Sequence, residues 1–402
     1  MQSSFFHANR QRFSRVIEGG VAVLTAYSSM QRTNDAAFEF EQEANLWWLS
    51  GIEAPDWWLI IDGTRGKSWL VSPTISSAHQ VFDGSLSSDE AKSISAVDDI
   101  LTHDQAMTML RDLAKKHSVV YSLGEQPHAQ YLDFTLNPAP KKLHELLERT
   151  FQSVQDCRKD LAKLRAIKQP DEITAIKKAI QLTIAGFESV KQQLSDYRYE
   201  YQIEAEFSYL FRKNGAVGHA YDPIVAGGKN ACTLHYVANS DRLKKRELLL
   251  LDIGARVNGY AADITRTYSL REPTARQRDV HGVVQAAHRQ IIKLLQPDLP
   301  VEQYYQQVEQ IMKHGLISLG LMTDVADQAN YQKYFPHAIS HGLGVDVHDS
   351  LGGPTHFQPG MVLTVEPGIY IPEESIGVRI EDDILITATG HINLSRGLST
   401  DS

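Results

Sequence analysis

The stretch ELLLLDIGARVNGYAADITRTYSL, Glu247 to Leu270, decides how the second half of the chain is read. Its ends are rich in Leu, Ile, Thr and Tyr, which suit a buried pleated surface, and they flank Arg256-Val-Asn-Gly259, a turn signal between antiparallel strands. Asp252 interrupts four leucines and an isoleucine, and Asp263 falls at the matching depth of the return strand. A buried carboxylate costs several kcal/mol unless it is paired or coordinated, and two facing each other across a hairpin repel. Either Asp could instead cap a turn or pair with Arg266 on the same strand.

Working outward, the anomaly repeats on two further apolar stretches, expected as strands. Glu366 lies in VLTVEPGIY and Glu381 in VRIEDDILIT. Arg266 and Arg379 could neutralise two of the four acids at most. That many hard oxygen donors suits divalent cations, and an added imidazole favours Mn2+, Co2+ or Zn2+ over Mg2+. Imidazoles are supplied by PHAISHGLGVDVHD, which holds His337, His341 and His348. His337 and His341 stand four apart as in helical zinc motifs, but Ala338 occupies the position such motifs need as Glu, and Gly342 with Gly344 argues against a helix.

A chain of 402 residues is expected to form two domains. The first part alternates strand signals (VAVLTA at Val21, WWLII at Trp57, SWLVS at Ser68) with a helical period over Asp104 to His117, then SVVYSL as a strand. From Pro170, four amphipathic segments dominate: one from Pro170 to Leu194, then Tyr199 to Asn214, Gln277 to Gln296 and Val301 to Leu319. The expected division is 1–160 and 161–402. A formal charge of −9 argues against a nucleic-acid or anionic-membrane partner, and two divalent cations would bring it to −9 + 4 = −5. No apolar run reaches the roughly 20 residues of a membrane span. Cys157 and Cys232 share no motif spacing, which fits a reducing cytoplasm better than a disulfide framework.

Taken together, LLLDIGA, YAADITRT, LHY at Leu234 to Tyr236, SHGLGVDVHD, MVLTVEPGIYI and VRIEDDI resemble, in order, the proline-specific metallopeptidases of the pita-bread fold, the aminopeptidase P and prolidase group. ANLWWLSGIEAPDWWLIID, Ala44 to Asp62, is similar to the N-terminal domain of aminopeptidase P. The resemblance implies an α+β chain in which a smaller mixed α/β domain precedes a pita-bread catalytic domain. It implies two divalent ions, Mn2+ first and Co2+ or Zn2+ as alternatives. His341 and Glu366 would complete one, Asp252 would chelate the other, and Asp263 with Glu381 would bridge both. Glu366 would also take a proton from the attacking water. His235 and His348 would contact the substrate carbonyl, His337 another part of the substrate, and Arg379 with Tyr370 would orient the carboxylates.

The substrate implied is a peptide with proline second, whose tertiary amide lacks the N–H that many peptidases grip. Prolidases of one type carry an arginine in the connection that is Ser350 to Gly360 here. This one has none, which favours an aminopeptidase over a dipeptidase. A non-catalytic pita-bread binding module is the third reading, disfavoured because all five ligand positions are filled. All five tryptophans, Trp47, Trp48, Trp57, Trp58 and Trp69, fall within 23 residues, and each adjacent pair is expected on a strand with one ring facing outward. Such rings could anchor a homodimer or homotetramer, the assemblies that the family implies.

Overall fold

The computed structural model describes residues 1–124 and 135–402. The chain divides into two compact units, Met1–Leu164 and Arg165–Ser402.

The first unit is built on a six-stranded mixed sheet: β1 (Val21–Thr25), β2 (Trp58–Asp62), β3 (Lys67–Val71), β4 (Asp99–Leu101), β5 (Val119–Ser122) and β6 (Ser153–Asp156), in the order β4-β3-β2-β1-β5-β6. The Asp62–Lys67 turn makes β2 and β3 an antiparallel hairpin, as its Asp-Gly and Arg-Gly pairs predict. The tryptophans depart from expectation. Trp47 and Trp48 lie on the helix Ala44–Ser50, not on a strand. Glu43 caps that helix by accepting from Leu46 N at 2.7 Å, and Gly51 ends it with φ 72°. Both rings are buried, as are Trp57 and Trp69, and Trp58 is half-buried against the His103 ring 5.0 Å away. Trp69 and Trp58 belong to this unit's core cluster and Trp47 packs edge-on against Phe6, so the rings form no exposed row.

In the second unit, β9 (Leu248–Ile253) is buried along its whole length and lies between β8 (Ile224–Gly227) and β12 (Ile264–Ser269). Thr265 pairs with Asp252 across β9 and β12. Between those strands the chain makes an outer excursion through β10 (Ala255–Val257), which also pairs with β7 (Gly218–His219), and β11 (Tyr260–Ala261). Gly254 lets the two limbs close up there, since a Cβ on it would lie 1.8 Å from Ala262 O. A second sheet orders β13 (Val362–Val365), β16 (Asp382–Thr387) and β17 (Gly390–Asn393), and β14 (Gly368–Ile371) pairs with β15 (Ile376–Arg379). The two larger sheets meet at the Thr265–Glu381 bridge, where Glu381 N donates to Thr265 O at 3.0 Å.

Helices Pro170–Gln192, Glu200–Lys213, Ala275–Leu294 and Val301–Ser318 bury the faces that their apolar period dictates. Val280, Val284 and Ile291 pack with Tyr304, Val308 and Met312 onto Leu363, Val365, Ile380 and Ile384. No helix among the described residues is long and apolar enough to cross a membrane.

Candidate metal centre

The four acids were expected inside strands, and only Asp252 is. Asp263 precedes β12, Glu366 follows β13, and Glu381 sits between β15 and β16. At strand ends the backbone can turn a side chain inward without breaking a ladder, so three sheets' ends converge on one point.

That point is the His341 imidazole. Nε2 lies 3.5 Å from Asp263 Oδ2, 3.5 Å from Glu366 Oε1 and 4.0 Å from Glu381 Oε1. Nδ1 lies 3.0 Å from Gly342 O, and donation there directs Nε2 at the acids, where it can carry a proton or, as a neutral ring, offer its lone pair to a cation. Asp263, His341 and Glu381 offer ligand atoms within 4.8 Å of one another. Glu381 Oε2 accepts from Thr265 Oγ1 at 2.7 Å, while the buried Oε1 has no hydrogen-bond partner. A buried carboxylate oxygen aimed at two other acids and an imidazole, with no donor, fits a divalent cation and little else. Asp252 stands at the flank, with Oδ1 accepting from Tyr221 at 2.6 Å and Oδ2 from Arg379 Nη2 at 2.5 Å. Neither Asp252 nor Asp263 pairs with Arg266, whose guanidinium serves Asp382 and the carbonyls of Thr265, Glu381, Leu398 and Ser399.

The crowding is visible in the proton affinities. Burial, then Asp252, raises Asp263. Burial, then Asp263 and Glu366, pushes Glu381 well above the ordinary carboxylate range. Glu366 rises to about 7, chiefly through burial. For His341 burial pulls the other way, but the hydrogen bond to Asp263 and the charges of Glu366 and Asp263 outweigh it, and it rises to about 9. An imidazolium facing three acids, with Arg379 on the fourth, is the charge balance that a cation would change.

Around this core the predicted histidines take distinct places. The His348 ring lies edge-on to His341 with centroids 4.4 Å apart. Burial and the neighbouring His341 lower His348 to about 4. His337 is also lowered to about 4, by burial and Arg379. Its Nδ1 lies 2.7 Å from Ala338 O and its Nε2 lies 2.8 Å from Tyr370 Oη, so both ring nitrogens have protein partners. Arg379 Nη1 donates to the same Tyr370 oxygen at 2.8 Å, which leaves the phenol to donate to His337. His235 is exposed on the loop after the short helix Gly228–Cys232, close enough for its charge to lower both His337 and His348. Three residues escaped the sequence reading. Tyr221 Oη lies 2.6 Å from Asp252 Oδ1 and from Asp263 Oδ1, Thr265 holds Glu381, and Asp383 Oδ2 accepts from Asp263 N at 3.2 Å. Tyr221 is an isolated aromatic in the sequence and carried no signal.

The fold and this cluster define a metallopeptidase, and the model of metallopeptidase family M24 matches residues 174–388. The model of the aminopeptidase P N-terminal domain matches residues 6–121. The chain belongs to the aminopeptidase P branch of the M24 metallopeptidases. It is 31% identical to the Xaa-Pro aminopeptidase of Escherichia coli K12, with 97% of this chain and 94% of the relative covered. It superposes on proline aminopeptidase P II from Yersinia pestis with a TM-score of 0.84 at 32% identity, covering 100% of this chain and 98% of that one. Zinc-substituted E. coli aminopeptidase P in complex with product gives 0.86 at 29%, covering 100% and 96%.

Proposed function

We propose that the chain is a metal-dependent Xaa-Pro aminopeptidase that releases the N-terminal residue from peptides with proline second. The observation that carries this is the convergence of Asp263, Glu366 and Glu381 on His341 Nε2, with Glu381 Oε1 buried and undonated. Two divalent ions, Mn2+ in the first instance, would be held by Asp252, Asp263, His341, Glu366 and Glu381. When bound they would supply Lewis acidity to a water and to the peptide carbonyl.

The protein's own groups divide the remaining work. Glu366, whose proton affinity lies near neutrality without the cations, is poised to take a proton from water and return it to the departing proline nitrogen. His348 is neutral at pH 7 and can donate to a developing oxyanion without bringing a competing charge to the cations. His235, exposed and near enough for its charge to act on His348, would grip the same carbonyl. The chain of donors from Arg379 through Tyr370 to His337 fixes the ring that lies 3.4 Å from Glu366 Oε2. Two free cysteines, Cys157 buried and Cys232 half-buried, fit a cytoplasmic setting, and a homodimer or homotetramer is the assembly expected from the family.

The test is to load the enzyme with Mn2+ and compare Xaa-Pro with Xaa-Pro-Yaa-Zaa. The tetrapeptide should be cleaved at the Xaa-Pro bond; turnover of the dipeptide alone would make the protein a dipeptidase.

A further inference from the structure

Four charged side chains outside the metal centre are buried together: Arg165, Lys168, Glu172 and Asp349, each no more than 6% exposed. Arg165 Nη2 lies 2.9 Å from Asp349 Oδ1 and Lys168 Nζ lies 3.1 Å from Asp349 Oδ2. Lys168 Nζ also donates to Arg165 O at 2.6 Å. Glu172 Oε1 accepts from Tyr260 at 2.8 Å and Oε2 from Gln169 N at 2.8 Å. The charges balance, but burying four ions is costly, and apolar residues of similar volume are often as stable or more so. Stability alone is therefore a weak reason for this cluster.

Its position supplies a better one. Asp349 directly follows His348, and a bridge between Gly342 and Asp349 closes the loop that begins at His341. The two histidines whose rings meet at 4.4 Å thus stand at the two ends of one closed loop. Inside it, Asp349 Oδ2 approaches so closely that a Cβ on Gly344 would lie 2.0 Å away. Lys168 N donates to Gly360 O at 2.9 Å, tying the cation-bearing turn to the segment that leads into β13 and Glu366.

We propose that Arg165 and Lys168 act through Asp349 as a buried charge lock that positions His348 toward the substrate carbonyl. The proposal rests on the peptidase reading above. The three are positioning residues, since none reaches the cluster of metal ligands. The lock fixes the Asp349 end of the His341–Asp349 loop, while the His341 backbone is held separately by Thr364, whose N donates to His341 O at 2.9 Å and whose Oγ1 accepts from His341 N at 3.2 Å.

The test uses the Mn2+-loaded full chain with Lys168→Met and Asp349→Asn together, which removes one buried charge of each sign. The double variant should keep the metal content of the wild type. It should lose about 10- to 100-fold in kcat, with KM changed less than about threefold. In a His348→Ala background the same pair should change kcat less than about threefold, because the lock then has nothing to position. Equal losses in both backgrounds, or no loss in either, would overturn the proposal. If the double variant does not fold, Asp349→Asn alone is read by the same criteria. Carbon-13 histidine NMR of the zinc-loaded protein decides independently of turnover: the His348 signal should broaden or shift in the variant while those of His281 and His288 stay. Should the wild type cleave no Xaa-Pro peptide, the aminopeptidase reading fails on its own, and an unmoved His348 signal would separately overturn the lock.

Discussion

Stripping the cations should make the protein lose stability as pH rises, by an amount that two groups set. Glu366 moves from 4.5 to about 7 on folding, chiefly through burial. A raised carboxyl contributes fully below its unfolded value and the contribution is lost as pH climbs through the folded one, so the loss runs from 4.5 through 7. At about 1.4 kcal/mol per tenfold change in proton binding, that interval is worth roughly 3 kcal/mol. His341 moves from 6.5 to about 9, with burial outweighed by Asp263 and Glu366, so its contribution is fully present below 6.5 and disappears through 9. Both losses have the same sign. They are not summed, because the two groups titrate together: ionised Glu366 raises His341, while protonated His341 lowers Glu366. For a unit of this size, roughly 3 kcal/mol corresponds to a Tm lower by about 6–12 °C, the Glu366 share falling between pH 4.5 and about 7 and the His341 share between 6.5 and about 9. Scanning calorimetry of chelator-treated protein across that range measures it. Reloading with Mn2+ should flatten the curve, because cations then occupy the place of the protons. A metal-free Tm that is level or rises over the interval would refute the crowded-acid account of the site.

Four further outcomes follow from the same geometry. Asp263→Ala and Glu381→Ala should each remove bound metal and lower kcat by more than about 1000-fold, read by metal analysis and peptide turnover. Arg379→Met leaves Asp252 without its cation and should cost about 3–5 kcal/mol in denaturant unfolding of the metal-free protein, since one partner of a buried pair is removed. Thr265→Val frees Glu381 Oε2 and should weaken metal binding about 10- to 100-fold by competition titration, with little change in fold by circular dichroism. Gly254→Ala drives a methyl against Ala262 O and should prevent accumulation of folded protein at 37 °C.

Legibility in the sequence followed the physics of each signal. The helix Ala275–Leu294 lies within two residues of its expected span because its apolar period and Thr274 cap are local. The strand-end placement of Asp263, Glu366 and Glu381 could not be read, because it depends on where one ladder yields to another. Glu366 N donates to Ile339 O and Glu381 N to Thr265 O, both remote partners. Trp47 and Trp48 are helical because the Glu43 cap and the Gly51 stop that frame their helix outweigh the aromatic preference for strands. The acids were conspicuous for one reason: charge inside an apolar run demands a counter-charge wherever the backbone turns.

The Thr265–Glu381 bridge has a consequence for assembly. The proposed ligands run from Asp252 to Glu381, so an ion among them would close a loop of roughly 130 residues, comparable in reach to a long-range covalent crosslink. Unlike a disulfide, this staple opens with a chelator and needs no oxidant. It can form only after both sheets have folded and met, so binding of the ion reports completion of the domain.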